Sequence, residues 1–186
     1  MAVQIPRRLI SIDEYERMIA AGVFPEDDRS ELIRGEITEM APIGLRHASC
    51  VSRLTKLLER RVGDDAIIWA QNPIRLVGNS LPQPDVAILK LSSDFYGRTR
   101  PTPKDVILLI EVSDTTLNYD TQVKVPLYAE AGIPEVWIAN LQDDVIEAFS
   151  SPIGSAYRSV KSVARGQALS LPGGLGGVVE VNDILG

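Results

Sequence analysis

The chain has 186 residues, 45% hydrophobic and 24% charged, with a net charge of −6 and a pI near 4.9. That is a globular composition, long enough for one buried core, and it excludes a disordered chain and counts against a protein that grips long duplex DNA by bulk positive charge. A single cysteine, Cys50, excludes an intrachain disulfide and suits a cytoplasmic location. The N-terminus carries early charges with no apolar run behind them, so no secretory leader is expected, and no stretch approaches the ~20 apolar residues of a membrane span.

Residues 11–21 predict a helix, with Ser11 as N-cap, Glu14 three residues on as in a capping box, and Gly22 to end it. Residues 25–28 are a polar break. Two short extended runs within residues 30–40 meet at Arg34-Gly35 and predict a hairpin, and residues 42–44 predict a turn. Val51, Leu54, Leu58 and Val62 form one apolar stripe at helical spacing, which predicts a helix over residues 47–62 with Arg53, Lys56, Glu59 and Arg60 largely off the stripe. Cys50 reads as packing.

Beyond residue 66 the period changes. Residues 66–70, 74–77 and 84–89 read as strands, with Gly78-Asn79-Ser80 as a turn, and residues 106–112 read as a central strand buried on both faces. Residues 121–131 are helical in character and closed by Gly132. Pro126 disfavours helical geometry at Val125, which puts the start of the regular helix near Lys124 rather than Asp120. Residues 135–139, with Trp137 in the core, and residues 145–149 are further strands. The tail is glycine-rich and irregular, with one strand near residues 157–160. The economical reading is one α/β domain over residues 1–186 built on a mixed sheet.

Two carboxylates stand out. Glu111 follows an apolar run, where a charge is costly unless it faces a cleft, a cation or a donor, and strand ends of this kind are where α/β folds place ligands. Asp85 follows Pro84 and should lie at a strand end. Read alone, Glu111 is equally an ordinary strand end turning into solvent, and Asp85 a turn aspartate. If their strands are neighbours, both acids could converge on one Mg²⁺ or Mn²⁺, with the Val112 backbone carbonyl as the natural third oxygen. Asp120, Lys124 and Tyr128 then stack at four-residue spacing if that segment is helical, so Lys124 could hold a phosphate oxygen or position water; the plain alternative is an Asp120–Lys124 surface pair.

The ordered set Pro84-Asp85, Glu111-Val112-Ser113, Asp120, Lys124-Val125-Pro126-Leu127-Tyr128 and Gly132-Ile133-Pro134-Glu135-Val136-Trp137-Ile138 resembles the bacterial restriction-endonuclease-like family of the PD-(D/E)XK nuclease superfamily. Upstream, Glu31-Leu32-Ile33-Arg34-Gly35-Glu36-Ile37, Met40-Ala41-Pro42 and His47 are also similar. The resemblance runs from about residue 11 to 149. It implies an α+β restriction-endonuclease-like core, a mixed sheet flanked by helices with an N-terminal helix and hairpin, and residues 150–186 as an irregular or β extension. It implies Asp85 as the motif aspartate, Glu111 as the second acid and Glu31 as an additional upstream acid. The usual lysine position, two residues after the second acid, is Ser113 here; Lys124 from the following helix stands in for it. Asp120, Tyr128 and His47 match recurring positions.

The function expected is a metal-dependent endonuclease that hydrolyses nucleic acid, DNA rather than RNA, as a homodimer. Arg46, Arg53, Lys56, Arg60 and Arg61 could form a phosphate stripe on the long helix, or simply its solvated face. The competing classes are a catalytically inactive binding or assembly module on the same fold, and a metal-dependent hydrolase of a small phosphoester. His47, in the first turn of its helix, is either a neutral hydrogen-bonding group near phosphate or water, or a solvated helix-start residue.

Overall fold

A computed structural model describes residues 7–25 and 27–186; the extreme N-terminus, on which the expectation about a secretory leader rested, and Glu26 of the polar break lie outside these residues. Helix α1 (Ile12–Ala20) starts where its local chemistry places it. The Glu14 N–H donates to Ser11 Oγ at 3.2 Å, and the Ser11 N–H donates back to Glu14 Oε2 at 2.9 Å. Strands β1 (Ser30–Ile33) and β2 (Glu36–Glu39) form the predicted hairpin. Its two-residue turn holds Arg34 at φ 51° and Gly35 at φ 81°, both left-handed as a type I′ connection requires. The Leu81 N–H donates to Leu32 O at 2.7 Å, which ties the hairpin to the body.

Helix α2 (Leu45–Val62) begins two residues before the expected start, with Gly44 in extended geometry as its N-cap. Residues 41–44 ahead of it are irregular and form no regular turn. Strands β3 (Ile67–Ala70), β4 (Val86–Leu89), β5 (Val106–Ser113), β6 (Glu135–Asn140), β7 (Val145–Ile153) and β8 (Ala156–Ala164) make one six-stranded sheet in that order. Every neighbouring pair is antiparallel except β5–β6. A parallel pair needs a crossover, and it is helical: α3 (Leu117–Tyr119), a π-helical segment (Asp120–Lys124) and α4 (Val125–Glu130).

The sheet is covered on both faces. Leu108, Ile110 and Val112 of β5 cluster with α2, while Leu109 clusters with Leu127 and Tyr128 of α4. This is the doubly buried central strand the apolar run predicted. The alternation also decides where Glu111 goes: it shares the α4 face with Leu109.

Three further expectations are corrected. Residues 74–77 form no strand; only an isolated bridge, Leu76 to Ser80, closes around Gly78 and Asn79, both at positive φ. Ile74 and Leu76 are buried all the same, so their apolar character reflects packing rather than pairing. Helical geometry does not wait for Lys124. The π turn lets the Val125 N–H bond back to Asp120 O, and Pro126 falls in the first turn of α4, where proline is tolerated. The tail holds the strand expected near residues 157–160, which lies within β8, but is regular elsewhere too, where irregular chain was expected. It completes β7 and β8 and adds β9 (Ala168–Ser170), β10 (Val178–Glu180) and α5 (Val181–Leu185). Leu169, Val179, Val181, Ile184 and Leu185 join the same cluster as α2. The glycines mark its turns, and the apolar residues between them fill the core. No helix among the described residues is long and apolar enough to cross a membrane.

Candidate active site

Antiparallel pairing sets Val86 opposite Ile110, so Asp85, one residue before β4, meets Glu111 near the end of β5. The Asp85 N–H lies 3.4 Å from Glu111 Oε2, and the Val112 N–H donates to Asp85 Oδ2 at 2.8 Å. In extended chain a residue's N–H and C=O point to the same side. The Val112 carbonyl therefore also faces Asp85, just past the end of the β4 ladder.

The crossover brings the cation. Lys124 Nζ lies 3.2 Å from Glu111 Oε1 and 3.4 Å from Glu31 Oε2, and Lys124, Glu31 and Glu111 are each 4% exposed or less. The Tyr128 hydroxyl donates to Glu111 Oε1 at 2.5 Å. The π segment carries Asp120 to the same side, where Oδ2 accepts from Ser113 Oγ at 2.7 Å and Thr116 Oγ1 at 2.6 Å. Ser113 thus supports Asp120 from behind. From α2, His47 Nε2 sits 3.0 Å from Asp85 Oδ2. That oxygen belongs to a carboxylate already accepting from Val112, so the imidazole N–H is the donor. His47 Nδ1 is buried with no partner among the described residues.

Glu31, His47, Asp85, Glu111, Val112, Asp120 and Lys124 line one cavity of about 460 Å³, with Ser113 and Tyr128 bonded to its acids, whereas the arginines and lysine of the candidate phosphate stripe lie outside it. Tyr119 was missed. Its hydroxyl donates to Glu31 Oε1 at 3.0 Å and its ring lines the cavity. Nothing in its neighbourhood in the sequence marks it; only the crossover's approach to the hairpin brings the two together.

The electrostatics follow from burial. Four buried carboxylates, Glu31, Asp85, Glu111 and Asp120, surround one buried ammonium. Burial pushes Glu111 up to about 8 even though Lys124 pulls it down. Burial raises Asp120 too, again moderated by Lys124. For Lys124 itself, burial disfavours the charge, but Glu111, Glu31 and the other acids outweigh it and hold the ammonium protonated. The hydrogen bond to Asp85 raises His47.

Among the described residues, no cluster of three His, Cys, Asp or Glu side chains is spaced to hold a metal ion. The donor set nevertheless fits a hard divalent cation through two carboxylates and a carbonyl. No donor among the described residues reaches Asp85 Oδ1, and the acids outnumber the lysine four to one.

A mixed sheet with helices on both faces, and an acid pair met by a lysine at the end of its central strand, define the restriction-endonuclease-like class of fold. The chain belongs to the Uma2 family, described as "Putative restriction endonuclease", whose model matches residues 12–182. Among solved structures, it is similar to one described as a "putative nuclease" from Anabaena variabilis ATCC 29413. The two share 13% identity with a TM-score of 0.76, over 95% of this chain and 97% of that one. No curated protein matches the chain.

Proposed function

We propose that this protein is a metal-dependent nuclease that hydrolyses phosphodiester bonds, with DNA as its substrate. The observation that carries this reading is the meeting of Asp85, Glu111 and Lys124, from three separate segments, on one cavity in a chain of this family. Asp85, Glu111 and the Val112 carbonyl would hold Mg²⁺ or Mn²⁺. Bound there, such an ion supplies charge stabilisation and a more acidic water. The chain's own residues do the rest. Lys124, kept charged by its acids, faces the phosphate oxygen or orients the attacking water. Glu31 and Glu111 fix the ammonium between them, Tyr119 and Tyr128 fix those two carboxylates, and His47 fixes Asp85. The proposed working form is a homodimer.

The test is cleavage of plasmid, single-stranded DNA and RNA with Mn²⁺ or Mg²⁺, beside Asp85→Asn and Glu111→Gln, with metal binding followed by calorimetry. Metal-dependent cleavage lost in both folded variants is the expected result. No cleavage together with no metal binding overturns it and leaves an inactive module on a nuclease fold. Hydrolysis of small phosphodiesters alone would move the assignment to a small-substrate hydrolase.

A further inference from the structure

Helix α2 carries a line of cations away from the cavity. At about 100° per residue, Arg46, Arg53, Lys56 and Arg60 fall within about 80° of one another, apart from the buried stripe of Val51, Leu54, Leu58 and Val62. From Arg46 to Arg60 the line is about 21 Å long. It begins at the cavity rim, because His47, next to Arg46, is one of the cavity's walls. Further along, Arg53, Lys56, Leu57, Arg60, Arg61 and Asp183 line a groove of about 530 Å³.

Two of these cations are committed to the fold. Arg53 donates to Ile184 O at 3.3 Å and Leu185 O at 2.5 Å, which ties α5 to α2. Arg46 bridges to Asp114 at 3.4 Å and donates to Leu141 O at 2.5 Å. Lys56, Arg60 and Arg61 are exposed and take part in no salt bridge among the described residues. The nearby acids are Asp183 in the groove, Glu59 further round the helix, and Asp64 and Asp65 in the turn just past its end. Arginines in a last turn also offset the helix dipole. That accounts neither for Lys56, a turn earlier, nor for a continuous line that ends at the candidate active site.

We propose that this face of α2 is the backbone track of the substrate. The strand that enters the cavity runs along α2, with its phosphates on Lys56 and Arg60 of the line and on Arg61 at the other side of the groove. The inference rests on the nuclease reading and adds the path the polymer takes. A chain of net charge −6 cannot bind a polyanion by its whole surface. A short stripe that runs along α2 from the cavity rim to the groove, and carries no ion pair at Lys56, Arg60 or Arg61 among the described residues, lets it hold the backbone locally while the acid cluster stays free for the cation.

The test is binding of a labelled DNA oligomer, followed by anisotropy across a salt series in EDTA so that no cleavage occurs. Arg60→Glu/Arg61→Glu is compared with Arg158→Glu/Lys161→Glu on strand β8, at the far edge of the sheet, which changes the net charge equally. The α2 pair should weaken binding at least tenfold and flatten the slope of log K against log salt by about 2 for a duplex, or about 1.4 for a single strand. The β8 pair should do neither. Equal weakening by both pairs, or none by the α2 pair in a protein that cleaves DNA, overturns the track and leaves the nuclease reading standing. If the parent protein neither binds nor cleaves nucleic acid, the nuclease reading itself falls and the track with it. Thermal unfolding of each variant confirms that the fold is kept.

Discussion

Lys124→Met keeps most of the side chain's bulk and removes its charge. In the native protein that ammonium is 4% exposed and sits 3.2 Å from Glu111 Oε1 and 3.4 Å from Glu31 Oε2. Deleting one partner of such a buried pair costs about 3–5 kcal/mol, because it strands uncompensated charge. The carboxylates have one escape, which is to take up protons. Burial already holds Glu111 up at about 8 against the pull of Lys124, so losing the lysine raises it further. An acid whose folded pKa exceeds its unfolded value penalises the fold above the unfolded value, increasingly so until the folded value is passed. An unfolded glutamate titrates near about 4.3. Up to about pH 8 Glu111 stays protonated in both proteins, so the gap between variant and parent in urea should be smaller at about pH 7 and widen by about 1 kcal/mol at about pH 9, where only the parent's Glu111 ionises, toward the about 3–5 kcal/mol of stranded buried charge. An equal loss at both pH values, or no loss at the higher one, refutes the claim that Lys124 is there to balance these acids.

Tyr128→Phe removes the hydroxyl donor from Glu111 Oε1 at a fully buried position; about 1.5–3 kcal/mol of stability should be lost by urea titration, and cleavage should slow as Glu111 is freed. Ile184→Ala tests whether the tail belongs to the core. A residue 1% exposed in the α2 cluster should cost about 2–5 kcal/mol, whereas a loosely attached tail would cost less than about 1. Cys50 is buried and burial pushes its thiol up to about 11, so a thiol reagent at neutral pH should leave the native protein unlabelled and react after denaturation. Rapid labelling of the native state would contradict the packing of α2.

What could be read from the sequence was what local chemistry decides. The apolar run of β5 had to be a buried centre, and Ser11 with Glu14 had to start a helix. Glu111 stood out because a carboxylate beside that run has few tolerable environments. The misses share a cause, since each depends on contacts far along the chain. Ile74 and Leu76 look like strand residues because they are buried, yet their backbone has no ladder partner. Tyr119 meets Glu31 across 88 residues. The tail's glycines obscured apolar residues whose partners lie on α2, more than a hundred positions away.

The π turn in the crossover also sets how this site tolerates changes in chain length. It holds one residue more than an α-helical turn would. Deleting one of Thr121, Gln122 or Val123 would let the segment rewind as continuous α-helix. It would also place a proline in the interior of that helix, and swing Asp120 and Tyr119 about 100° round the axis relative to Lys124 and Tyr128. Asp120 would leave Ser113 and Thr116, and Tyr119 would leave Glu31, although every residue named in the site was still present. In this segment the count of residues matters as much as their identity, so a related chain one residue shorter here would need a different arrangement around its lysine.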